Sequence, residues 1–328
     1  MALASSSEPS QLEPVQVEDS IISVKQLTKK FGDETAVENV SFEVPRASIF
    51  GFIGPSGSGK TTTVRLLTGV YTPTDGEVIV LDHKPAEFSQ NERAQLGYMP
   101  QLFVLYPNLT VWENLNFAAS LYGMGLFRGK RLKTALKFVE LYEHRSKLAR
   151  NISGGMLRRL SLASTLVHDP QLLFLDEPTT GLDPQIRLEI HGLIEEMKSE
   201  KRTVVLTTHY IEEAERLCDR VAIIDAGKIV AIGTPRELQQ KSAERSRIDI
   251  VCAQPMNAAA LPQWPDALES KLDGDGRTLT VYSSRPARTL FEIMKWLDQQ
   301  GMQLEDVHLK RPTLEDVFVE LTGKKLRD

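Results

Sequence analysis

The chain has 328 residues, 41% hydrophobic and 25% charged, an ordinary globular composition long enough for about two domains. Its 39 Lys and Arg against 44 Asp and Glu leave a formal charge of -5, which argues against a dedicated nucleic-acid binder, so any acidic ligand is held by local chemistry. Two cysteines, Cys218 and Cys252, with no second Cys or His at ligand spacing, argue against a disulfide scaffold or a zinc site.

In chain order, residues 1–20 carry no Lys or Arg and no apolar core, so they read as a disordered acidic tail and not as a signal peptide. From Ile21 short β-branched runs alternate with helical patterns, the mark of an α/β domain with a largely parallel sheet. Strands are expected at IISVKQL, VSFEV, SIFGFIG, EVIVL, LLFLDE, TVVLTTH and RVAIIDAGKIVAIG. Helices are expected over Thr61–Thr68, Leu132–Glu143, Gly155–His168, Pro184–Ser199 and Tyr210–Leu217. The longest apolar stretch, Leu115–Phe127, is broken by Asn116, Ser120 and glycines, well short of the roughly 18–20 residues of a membrane span. Near Leu238–Arg247 the chain turns polar and loses periodicity, which sets a domain boundary between a first domain at 21–242 and a module at 246–328. That module reads as strands RIDIVC, ALESKL and TLTVYS, the last two joined across Asp273-Gly274-Asp275-Gly276, then a helix with Leu290, Ile293, Met294 and Leu297 on one face. A strand over Leu304–Leu309 and a helix capped by Thr313 and Asp316 complete a small α+β module, for which a ferredoxin-like arrangement is the candidate.

Gly54-Pro55-Ser56-Gly57-Ser58-Gly59-Lys60-Thr61 fits the phosphate-loop pattern G-x-x-x-x-G-K-[ST], directly after an apolar run and directly before a helical one. The glycines leave room for backbone N–H groups to wrap phosphates, and the helix start turns its positive end toward them. Lys60 is placed to reach the β and γ phosphates and Thr61 to offer its hydroxyl to Mg²⁺, with Thr62 next to it. A second motif points to hydrolysis. Leu172-Leu173-Phe174-Leu175 is an apolar strand ending in Asp176 and Glu177, where parallel strands form their ligand crevice. Asp176 suits Mg²⁺ held through water, and Glu177, pointing differently, suits orientation or deprotonation of the attacking water.

At Asn151-Ile152-Ser153-Gly154-Gly155-Met156 the chain resembles the ATP-binding-cassette (ABC) ATPases. The resemblance implies that Ser153, Gly154, Gly155 and Met156 form the motif that caps the γ-phosphate held by a facing subunit. It further implies Gln101 as the glutamine near Mg²⁺, Asp183 as the loop aspartate after Gly181-Leu182, His209 as the histidine contacting the γ-phosphate, and Phe31 as the ring stacked on adenine. Phe31 also reads as a core residue after the first strand. These elements fall in family order from Ile21 to about Gln240. The chain departs from the usual pattern at Ile152, at Met156 and at Ala47-Ser48, where Gly-Glu is usual. Ser-Gly-Gly-Met followed by Leu157-Arg158-Arg159-Leu160, and the tail Arg311-Pro312-Thr313-Leu314-Glu315-Asp316-Val317-Phe318, look like the ABC-2, drug-resistance, lipid or polysaccharide exporter branch.

The fold implied is thus α/β, an ABC-type P-loop NTPase domain followed by the small α+β module. The implied function is an ATPase subunit that binds ATP and Mg²⁺, pairs with a second copy or a paralogue, and drives a separate transmembrane permease from the cytoplasmic face of the membrane. Leu102-Phe103-Val104-Leu105-Tyr106 reads equally as a docking surface for that partner or as core packing. Rival readings are an importer ATPase of the methionine type, a soluble ABC ATPase of DNA repair or the ribosome, and a non-enzymatic regulator. The short interval between Gln101 and Ser153 leaves no room for the long coiled coil of repair enzymes, and every catalytic position is filled.

Overall fold

The computed structural model describes residues 19–241, 246–310 and 312–323. The expected tail lies outside them as far as residue 18, and so does Arg311. The described residues form two compact units, one up to residue 208 with 224–229, the other 209–223 with those from 230 onward.

The larger unit opens with β1 (Ser20–Phe31) and β2 (Glu34–Pro45), an antiparallel pair turned at Gly32 and Asp33. Then come β3 (Ile49–Ile53), α1 (Lys60–Leu67), β4 (Asp75–Val80), the single turn α2 (Gln90–Arg93) and β5 (Leu96–Met99). α3 (Val111–Leu121), α4 (Gly129–Phe138), α5 (Gly154–Leu166), β6 (Leu172–Asp176), α6 (Pro184–Ser199) and β7 (Thr203–Thr208) complete its described elements before residue 209. Strands β2-β1-β4 form an antiparallel sheet. The central sheet runs β5-β6-β7-β3 in parallel, and every residue of β3, β6 and β7 is buried, as a sheet covered on both faces requires. All these strands point their carboxyl ends the same way, so the loops after β3 and β6 open on one edge.

The sequence pattern missed three elements here. α2 is a single turn, β5 is four residues long, and the apolar stretch near Leu115 is α3, capped by Thr110 with Glu113 in a capping box. The helix expected to reach Glu143 ends at Phe138 and gives way to a short turn at Tyr142–His144. Ala47 sits at φ 53°, a left-handed conformation in which a non-glycine residue costs about 1–2 kcal/mol. Its N–H donates to Thr203 Oγ1 at 2.9 Å, and the Ser48 hydroxyl donates to the Pro45 carbonyl at 2.7 Å, which holds the strained turn.

The chain continues through α7 (Ile211–Leu217), β8 (Arg220–Asp225), β9 (Lys228–Gly233) and α8 (Pro235–Lys241). The single run RVAIIDAGKIVAIG is therefore a hairpin, turned at Ala226 and Gly227. In the smaller unit, β10 (Ser246–Cys252), β11 (Ala267–Leu272), β12 (Thr278–Ser283) and β13 (Leu304–Lys310) form an antiparallel sheet in the order β11-β12-β10-β13. α9 (Pro286–Gln299) packs on β10 and β12, and α10 (Leu314–Thr322) closes the described chain. This is the ferredoxin-like strand order, with the first crossover helix replaced by residues 253–266. Ile248, Ile250, Cys252, Leu279 and Val281 build its core by alternation along the strands, and Ile293 and Leu297, four apart on α9, cover them.

Candidate functional site

The residues after β3 are shaped by two close approaches to backbone. A Cβ on Gly54 would stand 2.2 Å from the Ile224 carbonyl oxygen, and one on Gly59 would stand 2.6 Å from that of Ala36. Gly59 also caps α1 at φ 105°, which an L side chain rarely adopts. The loop is braced from the hairpin turn, because Gly227 N–H donates to the Ser58 carbonyl at 3.0 Å and Glu38 N–H donates to that of Gly227 at 2.8 Å. The result is a cleft of about 540 Å³ lined by Ser56, Gly57, Gly59, Lys60, Thr61 and Thr62 on one side. Phe31, Glu34, Thr35, Ala36, Gln101, Glu177, Ala226 and Gly227 line the rest.

Lys60 is buried, and its Nζ donates to the carbonyls of Gly54 at 2.7 Å and Pro55 at 2.9 Å, so the amine is folded onto its own loop. Burial pulls its pKa below the ordinary amine value, while the Glu177 and Asp176 carboxylates push it back up. Thr61 Oγ1 donates to both Asp176 oxygens at 3.1–3.2 Å, tying the loop after β3 to the end of β6. Thr207, paired with Asp176 in the parallel register, donates its hydroxyl to Asp176 Oδ1 at 2.5 Å. The same hydroxyl oxygen and the Thr207 carbonyl accept the Glu177 N–H.

Glu177 stands at φ 49°, so the chain breaks from the strand there and turns its side chain away from that of Asp176. Its carboxylate accepts from Gln101 Nε2 at 3.0 Å and Thr180 Oγ1 at 2.9 Å. Arg158, buried on α5, donates to the carbonyls of Gln101 and Thr180 and lies 4.8 Å from the Phe103 ring centroid. One guanidinium thus fastens both loops that carry the partners of Glu177. Phe31 is 44% exposed, meets Tyr71 edge-on at 5.2 Å and carries Lys29 Nζ at 5.0 Å, which places it at the cleft mouth and not in the core.

The structure does not bring all the expected residues together. Ser153 caps α5 by accepting the Met156 N–H at 3.3 Å, and Asp183 is the N-cap residue of α6. Ser153, Gly154 and Asp183 are exposed, and none of the Ser153–Met156 segment lines the cleft. A Cβ on Gly155 would meet the Ile186 side chain at 2.8 Å, so this helix start is packed against α6. His209 belongs to the smaller unit, its ring 4.2 Å from that of Tyr210. Sequence reasoning missed Thr207, Thr180, Arg158 and Tyr71. For Thr207 the available signal was a polar residue at the carboxyl end of an apolar strand; the other three have no local signal.

The cleft suits a nucleotide with a hard cation. Gly57 and Gly59 hold left-handed backbone at the start of α1, where N–H groups have no partner inside the helix, and the buried Ser58 hydroxyl has no hydrogen-bond partner. Thr61 Oγ1 and the Asp176 carboxylate are hard oxygen donors held together, the type Mg²⁺ prefers when phosphate and water oxygens supply its other ligands. Among the described residues no cluster of three or more His, Cys, Asp or Glu forms a metal cage.

Fold and cleft together define a P-loop nucleotide hydrolase built on a parallel sheet. A family model described as ABC transporter matches residues 37–180. Nod factor export ATP-binding protein I of Ralstonia nicotianae is 37% identical over 311 residues, 94% of this chain and 95% of that protein. A daunorubicin resistance ATP-binding protein of Streptomyces coeruleorubidus is 36% identical over 310 residues, 94% and 98% of the two chains. Among solved structures, the ATP-binding subunit of an ABC transporter aligns with TM-score 0.61 and 29% identity over 68% of this chain and 93% of its own. A dimeric ATP-binding cassette bound to ADP and Pi aligns with TM-score 0.59 and 28% identity over 65% and 98%. The chain belongs to the ABC transporter family, in its ATP-hydrolysing branch.

Proposed function

We propose that this chain is the ATP-hydrolysing subunit of an ABC-2 type exporter, two copies of it, or one and a paralogue, closing around two MgATP. The observation that carries this reading is the convergence of Lys60, Thr61, Gln101, Asp176 and Glu177 on one cleft edge, with Ser153 and Gly154 exposed elsewhere on the surface. A helix start with free N–H groups, outside its own chain's cleft, is suited to capping the γ-phosphate held by a facing subunit. Thr61 and Asp176 would hold Mg²⁺, which when bound would supply positive charge against the phosphate oxygens. Lys60 exchanges its two carbonyl partners for phosphate oxygens, and Glu177, oriented by Gln101 and Thr180, accepts the proton of the attacking water. His209 contacts the γ-phosphate from the residue after β7, Asp183 acts at the facing subunit, and Phe31 stacks on the base with Tyr71 behind it.

The relatives that cover nearly the whole chain are named for export and drug resistance, which favours an exporter over an importer. No helix among the described residues is long and apolar enough to cross a membrane. We assign this subunit to the cytoplasmic face of the membrane, working with a permease on another chain. Leu102, Phe103, Val104 and Tyr106 are exposed beside Gln101, with Phe117 against Tyr106, and we assign them to permease docking over core packing. We divide the chain into a nucleotide cassette at 21–242 and a module at 246–328 that holds the dimer or limits its opening. Copurification of the permease from membranes, followed by ATPase assays with candidate cargo, tests the exporter reading; cargo-independent turnover with no permease would overturn it.

A further inference from the structure

Within the smaller unit, one carboxylate oxygen joins three helices that are distant in sequence. Glu215, on α7, accepts at Oε1 the backbone N–H of Leu314 at 2.6 Å and the Nε2 group of Gln239 at 2.9 Å. It therefore links α7 to the first residue of α10 and to α8. α10 packs on both helices, with Leu314, Val317 and Phe318 buried. The first N–H groups of a helix have no acceptor inside it. At α10, Thr313 and Asp316 form a reciprocal box that satisfies each other's N–H. The Leu314 N–H, on a fully buried residue, takes Glu215 instead. A carboxylate at that place also faces the positive end of the α10 dipole. The contact is a helix cap supplied from 99 residues away.

The position of α7 gives this cap a consequence. α7 begins at Ile211, and its N-cap residue Tyr210 holds its ring 4.2 Å from that of His209, tilted by 40°. The backbone leaving His209 runs straight into the helix that carries Glu215. The geometry points to Glu215 as a positioning residue for ATP hydrolysis: by capping α10 and holding α8 it fixes α7, and through α7 the setting of His209. α10 is then a strut for that histidine, and the end of the chain bears on turnover without touching nucleotide. This rests on the reading of His209 as a γ-phosphate contact.

The test uses the full chain under conditions in which it hydrolyses ATP. Glu215→Ala is expected to lower kcat about five- to tenfold with KM for ATP within about twofold, because the phosphate loop is untouched. Hydrogen exchange should show the first turn of α10 deprotected in the same variant. Glu215→Gln, whose amide oxygen still accepts both bonds, should restore most of kcat and the protection. Gln239→Ala, which leaves the cap in place, should lower kcat less than Glu215→Ala does. Full kcat in Glu215→Ala despite a deprotected α10 would overturn the proposal, and so would unchanged protection of α10. His209→Ala separates the two readings: lost turnover with α10 still protected supports the role of His209, whereas retained turnover removes that role and leaves the cap itself standing.

Discussion

The cleft of the larger unit and the sheet of the smaller one are both well packed, yet they bury opposite kinds of group. Around the cleft, Lys60, Asp176, Glu177 and Thr207 are each at most 8% exposed, and polar groups hold one another across three loops. Inside the smaller unit's sheet the buried groups are Ile248, Ile250, Leu279 and Val281, and the buried hydroxyls Ser283 and Thr289 lie 2.6 Å apart and reach the backbone carbonyls of Asp266 and Pro265. Desolvating charge is expensive and is kept where chemistry needs it, whereas apolar burial is what stabilises a small sheet. The first region is built to act and the second to hold shape.

Substitutions in the two regions should fail in different ways. The largest effect is expected from Glu177→Gln, which keeps size and hydrogen bonding but cannot take a proton: turnover should fall about a hundredfold or more, with ATP still bound and a dimer trapped on gel filtration. Retained ATPase activity would sink the assignment of Glu177. Lys60→Ala should act on binding itself, weakening ATP about ten- to a hundredfold by titration calorimetry, because it removes a charged hydrogen-bond donor from a desolvated site. Ile250→Ala, fully buried in the smaller unit, should cost about 2–5 kcal/mol in urea unfolding of that unit, a loss read as stability and not as chemistry.

The smallest effect concerns the outer face of the same sheet. Burial alone would raise the Asp249 pKa, but hydrogen bonds from Arg247 and Thr280 outweigh it and hold the carboxyl below its usual value. A depressed folded-state pKa adds stability above the unfolded pKa and loses it as pH falls through the folded one. Asp249→Asn should therefore flatten the acid limb of the stability profile by a few tenths of a kcal/mol. An unchanged profile would show that the ion pair contributes nothing.

Much of this contrast was readable from residue order. Gly54–Thr61 and the run ending in Asp176-Glu177 are local patterns, since loop conformation, strand burial and helix start all depend on neighbours in sequence. β12 alternates cleanly and the Asp273–Gly276 turn pairs β11 with it, so ALESKL and TLTVYS match β11 and β12 residue for residue, although β11 itself is exposed along most of its length. α3 escaped because its apolar residues merged with the loop after it, and β5 because four residues carry too little periodicity.

The sequence by itself determined the phosphate loop, the two carboxylates and the class of fold, because each is written within a few consecutive residues. Packing of distant elements alone sets Thr207 on Asp176, fastens the loops carrying Gln101 and Thr180 with Arg158, and brings Glu215 to cap a helix at the far end of the chain. Those contacts join residues between 22 and 99 positions apart. No spacing rule encodes such pairs, because packing of whole elements, and not local backbone preference, brings them within hydrogen-bond reach.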